Sequence, residues 1–314
     1  MDRHISLSIK QVRYFIAAAD FGQVSLAALE LNVSQSAVTA AVQQLEASLG
    51  EKLFIRSPSG VSLTAQGSRF LQHARNIMAV VNEAVLSPLS QDTSLLGSVT
   101  VGMSYTVAGY FMPRHHARFA RTYPRIHLDM LEMQRQQIED GLQKGKLDVA
   151  VMLVSNLRNR TNITYETLLR SRRRLWVPPE HPLLEASSIS LKDVAKEPYI
   201  MLTVDEAHQT AGKYWYGTKL HPQVVFNTSS VEAVRSLVAA GMGVTILSDM
   251  VYRPWSLEGQ RLETRNVNAD IPTMDVGIAW SSKHEPSPAA RTFIDFLSRA
   301  FGSSGHDDHV GGAA

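Results

Sequence analysis

Cysteine is absent from all 314 residues. That excludes disulfide frameworks, thiolate nucleophiles and sulfur-ligated zinc or iron–sulfur centres, and it suits a reducing compartment. Charge of one sign is lacking too: 31 Lys and Arg against 29 Asp and Glu leave a formal net charge of +2. No global field announces a polyanionic partner, so nucleic-acid binding has to be read from local architecture. No apolar run reaches the length of a membrane span, and Met1 to Lys10 alternates polar and apolar types without the apolar stretch of an export signal. An unexported, cytoplasmic chain with no membrane partner is expected. Catalytic signatures are missing as well: there is no G-x-S-x-G elbow, no phosphate-binding glycine loop and no paired-carboxylate constellation. No catalytic residue, cofactor or metal is therefore expected. The adjacent His115 and His116 point apart on a helix, and His181, His208 and His221 lack ligand spacing, so these histidines read as surface or loop residues. His306-Asp307-Asp308-His309 lies in a Gly-rich tail and reads as solvated, and the run Arg172-Arg173-Arg174 reads as a solvated or interdomain face.

What is present is enough for more than one core: 44% of residues are hydrophobic and 19% charged. The first 90 residues are rich in Ala, Gln, Leu and Ser. Val12, Phe15, Ile16 and Ala19 fall at helical spacing, and Gly22 ends that helix. Ser25 is expected to cap a short helix through Leu31, and Ser34 to cap the next. There Val38, Val42, Leu45 and Leu49 share one face, leaving Gln35, Ser36, Thr39 and Gln43 on the other. Two short helices joined by a turn, the second polar at its start, form the geometry that lets a helix enter the DNA major groove. Leu53 to Leu63 then reads strand, turn, strand: a wing with Arg56 as a candidate phosphate contact. From Thr64, Phe70/Leu71, Ala74, Ile77/Met78, Val81 and Val85 recur near the coiled-coil period as far as Pro88, which predicts a linker helix paired with its own copy.

From Gly97 onward short Val/Ile-rich runs alternate with helical patterns, which implies a parallel sheet with helices on its faces. Strands are expected at Ser98 to Met103, Ile126 to Glu132 and Asp148 to Leu153, with helices at Tyr110 to Arg121 and Gln136 to Lys144. A second set has strands near Arg174 to Val177, Tyr199 to Leu202, Val224 to Asn227 and Val244 to Leu247. The strand Met274 to Trp280 and the helix Pro288 to Phe301 return to the first set. Two such lobes make a ligand cleft, because ligands sit beyond the C-terminal ends of strands.

The run from Phe15 through Ala27-Ala28, Leu31, Val33-Ser34-Gln35-Ser36-Ala37-Val38-Thr39, Leu45-Glu46, Leu49-Gly50, Leu53-Phe54, Arg56, Leu63-Thr64 and Gly67 resembles the N-terminal signature of the LysR-type transcriptional regulators. Gly145 to Ala150 and Val238 to Val244 look like that family's effector-domain landmarks. The resemblance implies a multi-domain protein: a winged helix-turn-helix over 1–63, a linker helix over 64–90 and a two-lobed α/β, periplasmic-binding-protein-like effector domain over 91–302. The lobes would be about 97–168 plus 270–302, and 169–269, with a disordered tail over 303–314. The implied partners are double-stranded promoter DNA, a small-molecule effector, further copies of the chain as homodimer or dimer of dimers, and RNA polymerase. Gln35 would read base edges, with Ser34, Ser36 and Thr39 near phosphates. The family usually carries arginines where Ala40, Ala41, Ser59 and Ser62 stand here, so weaker binding per protomer and greater reliance on avidity are expected. For the effector the family offers Ser104, Tyr105 and Thr106 at the first strand's end, Gln134 and Arg135 after the second, and Thr203, Thr228 and Ser229 in the other lobe. Hydroxyls, backbone N–H groups and a guanidinium at those places suit an organic acid or other anion. A ligand-carrying module without DNA binding is the competing reading; the helix-turn-helix argues against it.

Overall fold

A computed structural model describes residues 7–57, 60–86 and 95–301. The tail at 303–314 with its His306 to His309 stretch, Pro88 and the wing-tip Ser59 lie outside the described residues. The chain divides into two compact units, Met1–Gln91 and Asp92–Ala314.

In the first unit α1 (Ile9–Phe21) starts at a capping box between Ser8 and Gln11 and ends at Gly22 in left-handed conformation. Helix α2 (Val24–Glu30) follows at once, capped by Gln23, so Ser25 sits inside the helix rather than at its cap. The tight Gly22 turn leaves no room for the extra residues that a Ser25 cap requires. Helix α3 (Gln35–Leu49) begins at Ser34, whose Oγ accepts from the Ala37 amide, and buries Val38, Ala41, Val42 and Leu45. Strands β1 (Phe54–Ser57) and β2 (Gly60–Leu63) pair antiparallel, with Arg56 opposite Val61. Gly60 has φ +132° and lies where a Cβ would come within 2.3 Å of the Gly22 carbonyl oxygen, while the Val61 amide donates to that same oxygen at 2.8 Å. The wing is thereby stitched to the end of α1.

Helix α4 (Ala65–Leu86) opens at Thr64, whose Oγ1 accepts from the Gly67 amide at 2.9 Å and donates to the Lys52 carbonyl at 2.7 Å. The stripe expected to face a second copy is used largely at home. Ala74 is fully buried in the unit's own core, and Phe70, Leu71, Ile77 and Met78 pack on it. Phe70 meets Phe15 of α1 with ring centroids 5.2 Å apart. Val80 stays 58% exposed, so the side of α4 that Val80 occupies is left open by this unit.

The second unit starts with β3 (Gly97–Met103), α5 (Tyr105–Tyr110), α6 (Met112–Thr122), β4 (Ile126–Glu132), α7 (Arg135–Gln143), β5 (Val149–Leu153) and β6 (Ile163–Ser171). The helix expected over Tyr110 to Arg121 is α6, which starts two residues later with Pro113 in its first turn, where the missing N–H costs no hydrogen bond, and the short α5 precedes it. Next come β7 (Arg173–Val177), α8 (Leu191–Val194), β8 (Pro198–Leu202), α9 (Ala207–Gly217), β9 (Gln223–Thr228), α10 (Val231–Ala239), β10 (Thr245–Ser248) and β11 (Glu263–Arg265). Strand β12 (Met274–Ser281) and α11 (Pro288–Phe301) close the unit.

Five strands form one sheet in the order β4-β3-β5-β12-β6. The sheet is mixed rather than parallel: β3, β4 and β5 run together, whereas β12 is antiparallel to both β5 and β6. Strand β6 had no place in the expected layout. Its register on β12 shifts between Val276 and Gly277, leaving Leu168 as an extra buried residue and interrupting the alternation by which a strand is recognised. On the far side β7 lies between β10 and β11, while β8 pairs parallel with β9 and meets Val244 through Tyr199. Strands β6 and β12 carry the chain between these sheets. His115, expected at the surface, is only 2% exposed: the α6 face carrying it packs between Phe111 and Phe301. Of the arginine run only Arg172 is exposed; Arg174 pairs with Asp249 at 2.5 Å, and Arg173 donates to the Pro272 carbonyl.

Candidate functional site

In the first unit Gln35, Ser36 and Gln43 are exposed along one side of α3, with Thr39 half-buried among them. Ser34 spends its hydroxyl on the cap, accepting from the Ala37 amide at 3.2 Å and lying 2.9 Å from Ser36 Oγ. Arg56 is exposed on the wing. These residues lie at the cap and along one face of α3 and on one strand of the wing, all but Thr39 exposed. Of the positions lacking the family's arginines, Ala40 and Ser62 are exposed, but Ala41 is buried, so a long cation has no outlet there. Glu46, noted in the sequence only as part of the N-terminal signature, joins the helix to the wing. Its carboxylate, 3% exposed, accepts from the amides of Leu53 at 2.8 Å and Phe54 at 3.1 Å and from Lys52 Nζ at 3.3 Å. Burial alone would raise its pKa, but those donors outweigh burial and hold it below its ordinary value.

In the second unit a cavity of about 480 Å³ opens between the sheets, lined by Tyr105, Glu132 to Arg135, Gln137, Thr203 to Glu206 and Ser229. Five of the expected effector residues, Tyr105, Gln134, Arg135, Thr203 and Ser229, therefore meet around one space. Three stand beside it. Ser104 is 4% exposed, with its Oγ buried and lacking a hydrogen-bond partner. Thr106 is equally buried, and Thr228 Oγ1 accepts from the Ser230 amide at 3.1 Å as a local turn.

Arg135 is not a free cation. Its Nη1 donates to Glu139 at 2.7 Å on the next turn of α7, and its Nε donates to Glu206 at 3.0 Å from the opposite lobe. Burial would lower the guanidinium's pKa, but the two carboxylates outweigh it and raise the value. Next door, Asp205 Oδ2 accepts from the Thr106 amide at 2.7 Å, and its carbonyl accepts from Asn156 Nδ2 at 2.7 Å. Asp205 and Glu206 both sit in the left-handed region, at φ 50° and 57°. Each such residue costs about 1 to 2 kcal/mol relative to ordinary backbone, so the cross-lobe bonds hold a conformation the loop would otherwise leave. Tyr110 is half-buried and donates to Glu232 of α10 at 2.8 Å; burial first, then that carboxylate, push the phenol up to about 12. Arg158 also reaches Gln209. No sequence signal marked Asp205 or Glu206, since an acidic pair before a helix normally reads as a solvated start. Among the described residues there is no cluster of three metal-ligating side chains, and no helix is long and apolar enough to cross a membrane.

Residues 9–68 match the family model described as the bacterial regulatory helix-turn-helix protein of the lysR family, and residues 93–302 match the LysR substrate binding domain. The chain belongs to the LysR family. A relative in Bacillus subtilis (strain 168), the uncharacterized HTH-type transcriptional regulator YvbU, is 28% identical over 95% of this chain and 100% of its own length. The crystal structure of HinK, a LysR-family regulator from Pseudomonas aeruginosa, superposes with a TM-score of 0.60 at 26% identity, covering 93% of this chain and 97% of HinK. CbnR, solved in complex with its target DNA, shares the fold with a TM-score of 0.53 at 21% identity over 94% of this chain and 99% of CbnR. This LysR-family chain is thus a DNA-binding transcription regulator with an effector-binding domain, and a regulator rather than an enzyme.

Proposed function

We propose that this cytoplasmic regulator changes transcription in response to a small organic acid or other anion held in the cavity of the second unit. One observation carries the effector class: the Arg135 guanidinium at the cavity wall and the Thr106 amide beside it each hold a carboxylate across the cleft, which suits the site to carboxylates. Tyr105, Gln134, Thr203 and Ser229 supply the remaining surface, and Ser104 and Thr228 support it from behind. Gln35 reads base edges, Ser34, Ser36 and Thr39 lie near phosphates, Gln43 extends the same DNA-binding face, and Arg56 meets a phosphate from the wing. In this reading 1–63 grips DNA, 64–90 joins copies, and 91–302 senses the effector. Copies assemble as a homodimer or dimer of dimers, and effector binding alters the geometry that DNA and RNA polymerase meet. The test is a thermal-shift screen of the full chain against small carboxylates, aromatic acids and amino acids. A bound acid raises the melting temperature, and the shift disappears in Arg135→Gln. A hit indifferent to that change removes Arg135 from the site. For DNA, Gln35→Ala and Arg56→Ala lower affinity for the protein's own promoter fragment, and unchanged affinity in both rejects that surface.

A further inference from the structure

We propose that Asp205 and Glu206 form a tethered stand-in for the effector: a two-carboxylate latch across the cleft that an incoming dianion must displace. The inference rests on reading the cavity as the effector site. Both carboxylates come from one short segment of the second lobe, and both end on donors of the first. Asp205 takes the Thr106 amide at 2.7 Å and Glu206 takes Arg135 Nε at 3.0 Å. The segment is held further by Asn156, which donates to the Asp205 carbonyl at 2.7 Å. Two consecutive non-glycine residues at φ 50° and 57° show a backbone kept in place by its partners rather than by its own preference.

Arg135 has a second, permanent partner in Glu139, on its own helix, at 2.7 Å. Glu139 also accepts from the Arg158 amide at 3.0 Å, so it stays anchored whichever ligand the outer side of the guanidinium holds. The exchangeable place on Arg135 is therefore the one Glu206 occupies. A small molecule carrying two carboxylates satisfies the Thr106 amide and Arg135 together, as the Asp205 and Glu206 pair does now. A monoanion replaces one and leaves the other latched. Displacement frees the strained segment and with it the start of α9, which Glu206 caps. Binding in the cleft thus becomes movement of one lobe relative to the other. Because the latch competes, the chain pays a population penalty on effector affinity, which removing the latch abolishes.

The absence of cysteine gives a clean experiment on the full chain. Gln136→Cys on α7 and His208→Cys on α9, both exposed, place one spin label on each lobe. Distances are compared between that pair alone and the pair carrying Asp205→Gly with Glu206→Gln, glycine keeping the left-handed backbone accessible. A narrow distribution in the first and a broader or longer one in the second supports the latch; identical distributions overturn it. Succinate is the probe for the second arm, with acetate as the single-carboxylate control. The released chain is expected to show its succinate-induced thermal shift at a concentration lower by about tenfold or more than the latched chain requires. Equal concentration dependence in the two chains overturns the competition, and an acetate response equal to that of succinate overturns the two-carboxylate requirement. If neither chain responds to succinate or acetate while the distances still broaden, the anionic reading of the cleft fails and the stand-in role is overturned with it, Asp205 and Glu206 then only holding the lobes together.

Discussion

Glu46 accepts three hydrogen bonds in a nearly dry position between α3 and the wing, and two come from the backbone amides of Leu53 and Phe54. Glu46→Ala leaves those amides unpaired and is expected to cost about 2 to 3 kcal/mol, measured by denaturant unfolding of the full chain. Because the folded carboxyl lies below its ordinary value, its contribution is complete above that value and is lost as pH falls through the folded one. His115 behaves in the opposite chemical sense but with the same direction in pH. Burial first, then Arg114 and Arg118, push it down to about 3 from its ordinary value of 6.5. Between those values the unfolded chain binds a proton that the folded chain refuses. Stability should therefore fall as pH is lowered through that window, by at most about 1.4 kcal/mol per pH unit, and His115→Phe should flatten that part of the profile. An unchanged slope in the variant would remove His115 from the account.

Elements are positioned by a few contacts that admit no extra atom. Gly60 combines φ +132° with a Cβ position 2.3 Å from the Gly22 carbonyl, so Gly60→Ala should both strain the turn and break the stitch between wing and α1. A loss of about 1 to 3 kcal/mol is expected, together with weakened DNA binding, since Arg56 rides on the same hairpin. Near-normal stability would mean that the wing re-registers. Gly67 is comparable: a Cβ there would meet the Leu53 carbonyl at 2.0 Å, which fixes where α4 leaves the wing. The first half of α4 is a core helix of its own unit, which is why Phe70, Ala74 and Met78 cannot be read as a dimer seam alone.

At the scale of the molecule, the second unit leaves apolar side chains on two sheet edges. Met130 and Leu131 of β4 are 37% and 39% exposed, and Val224, Val225 and Phe226 of β9 are 40%, 58% and 48% exposed. Edge strands that display valine and phenylalanine to water invite a partner. Sedimentation velocity should show an assembled chain, and Val225→Asp with Phe226→Asp should shift it toward smaller species while both units remain folded. No shift would exclude the β9 edge from self-association.

The sequence by itself determined much of this protein: α3 with its cap at Ser34, the wing, most strands of the second unit, and the family through a spaced signature from Ala27 to Gly67. Those features are local. Caps, turns and periodic burial are written within a few residues of where they act. It also placed Tyr105, Gln134, Arg135, Thr203 and Ser229 near strand ends, where the structure gathers them around one cavity. What only the tertiary structure decided depends on residues distant in the chain. A bulge hid β6, the packing of Phe111 and Phe301 buried His115, and α1 claimed the stripe of α4. The charge state of the cleft was hidden for the same reason. Arg135 and Glu206 are 71 positions apart, and Thr106 and Asp205 are 99 apart, so neither neutralisation nor occupation could be read before the chain folded two lobes against each other.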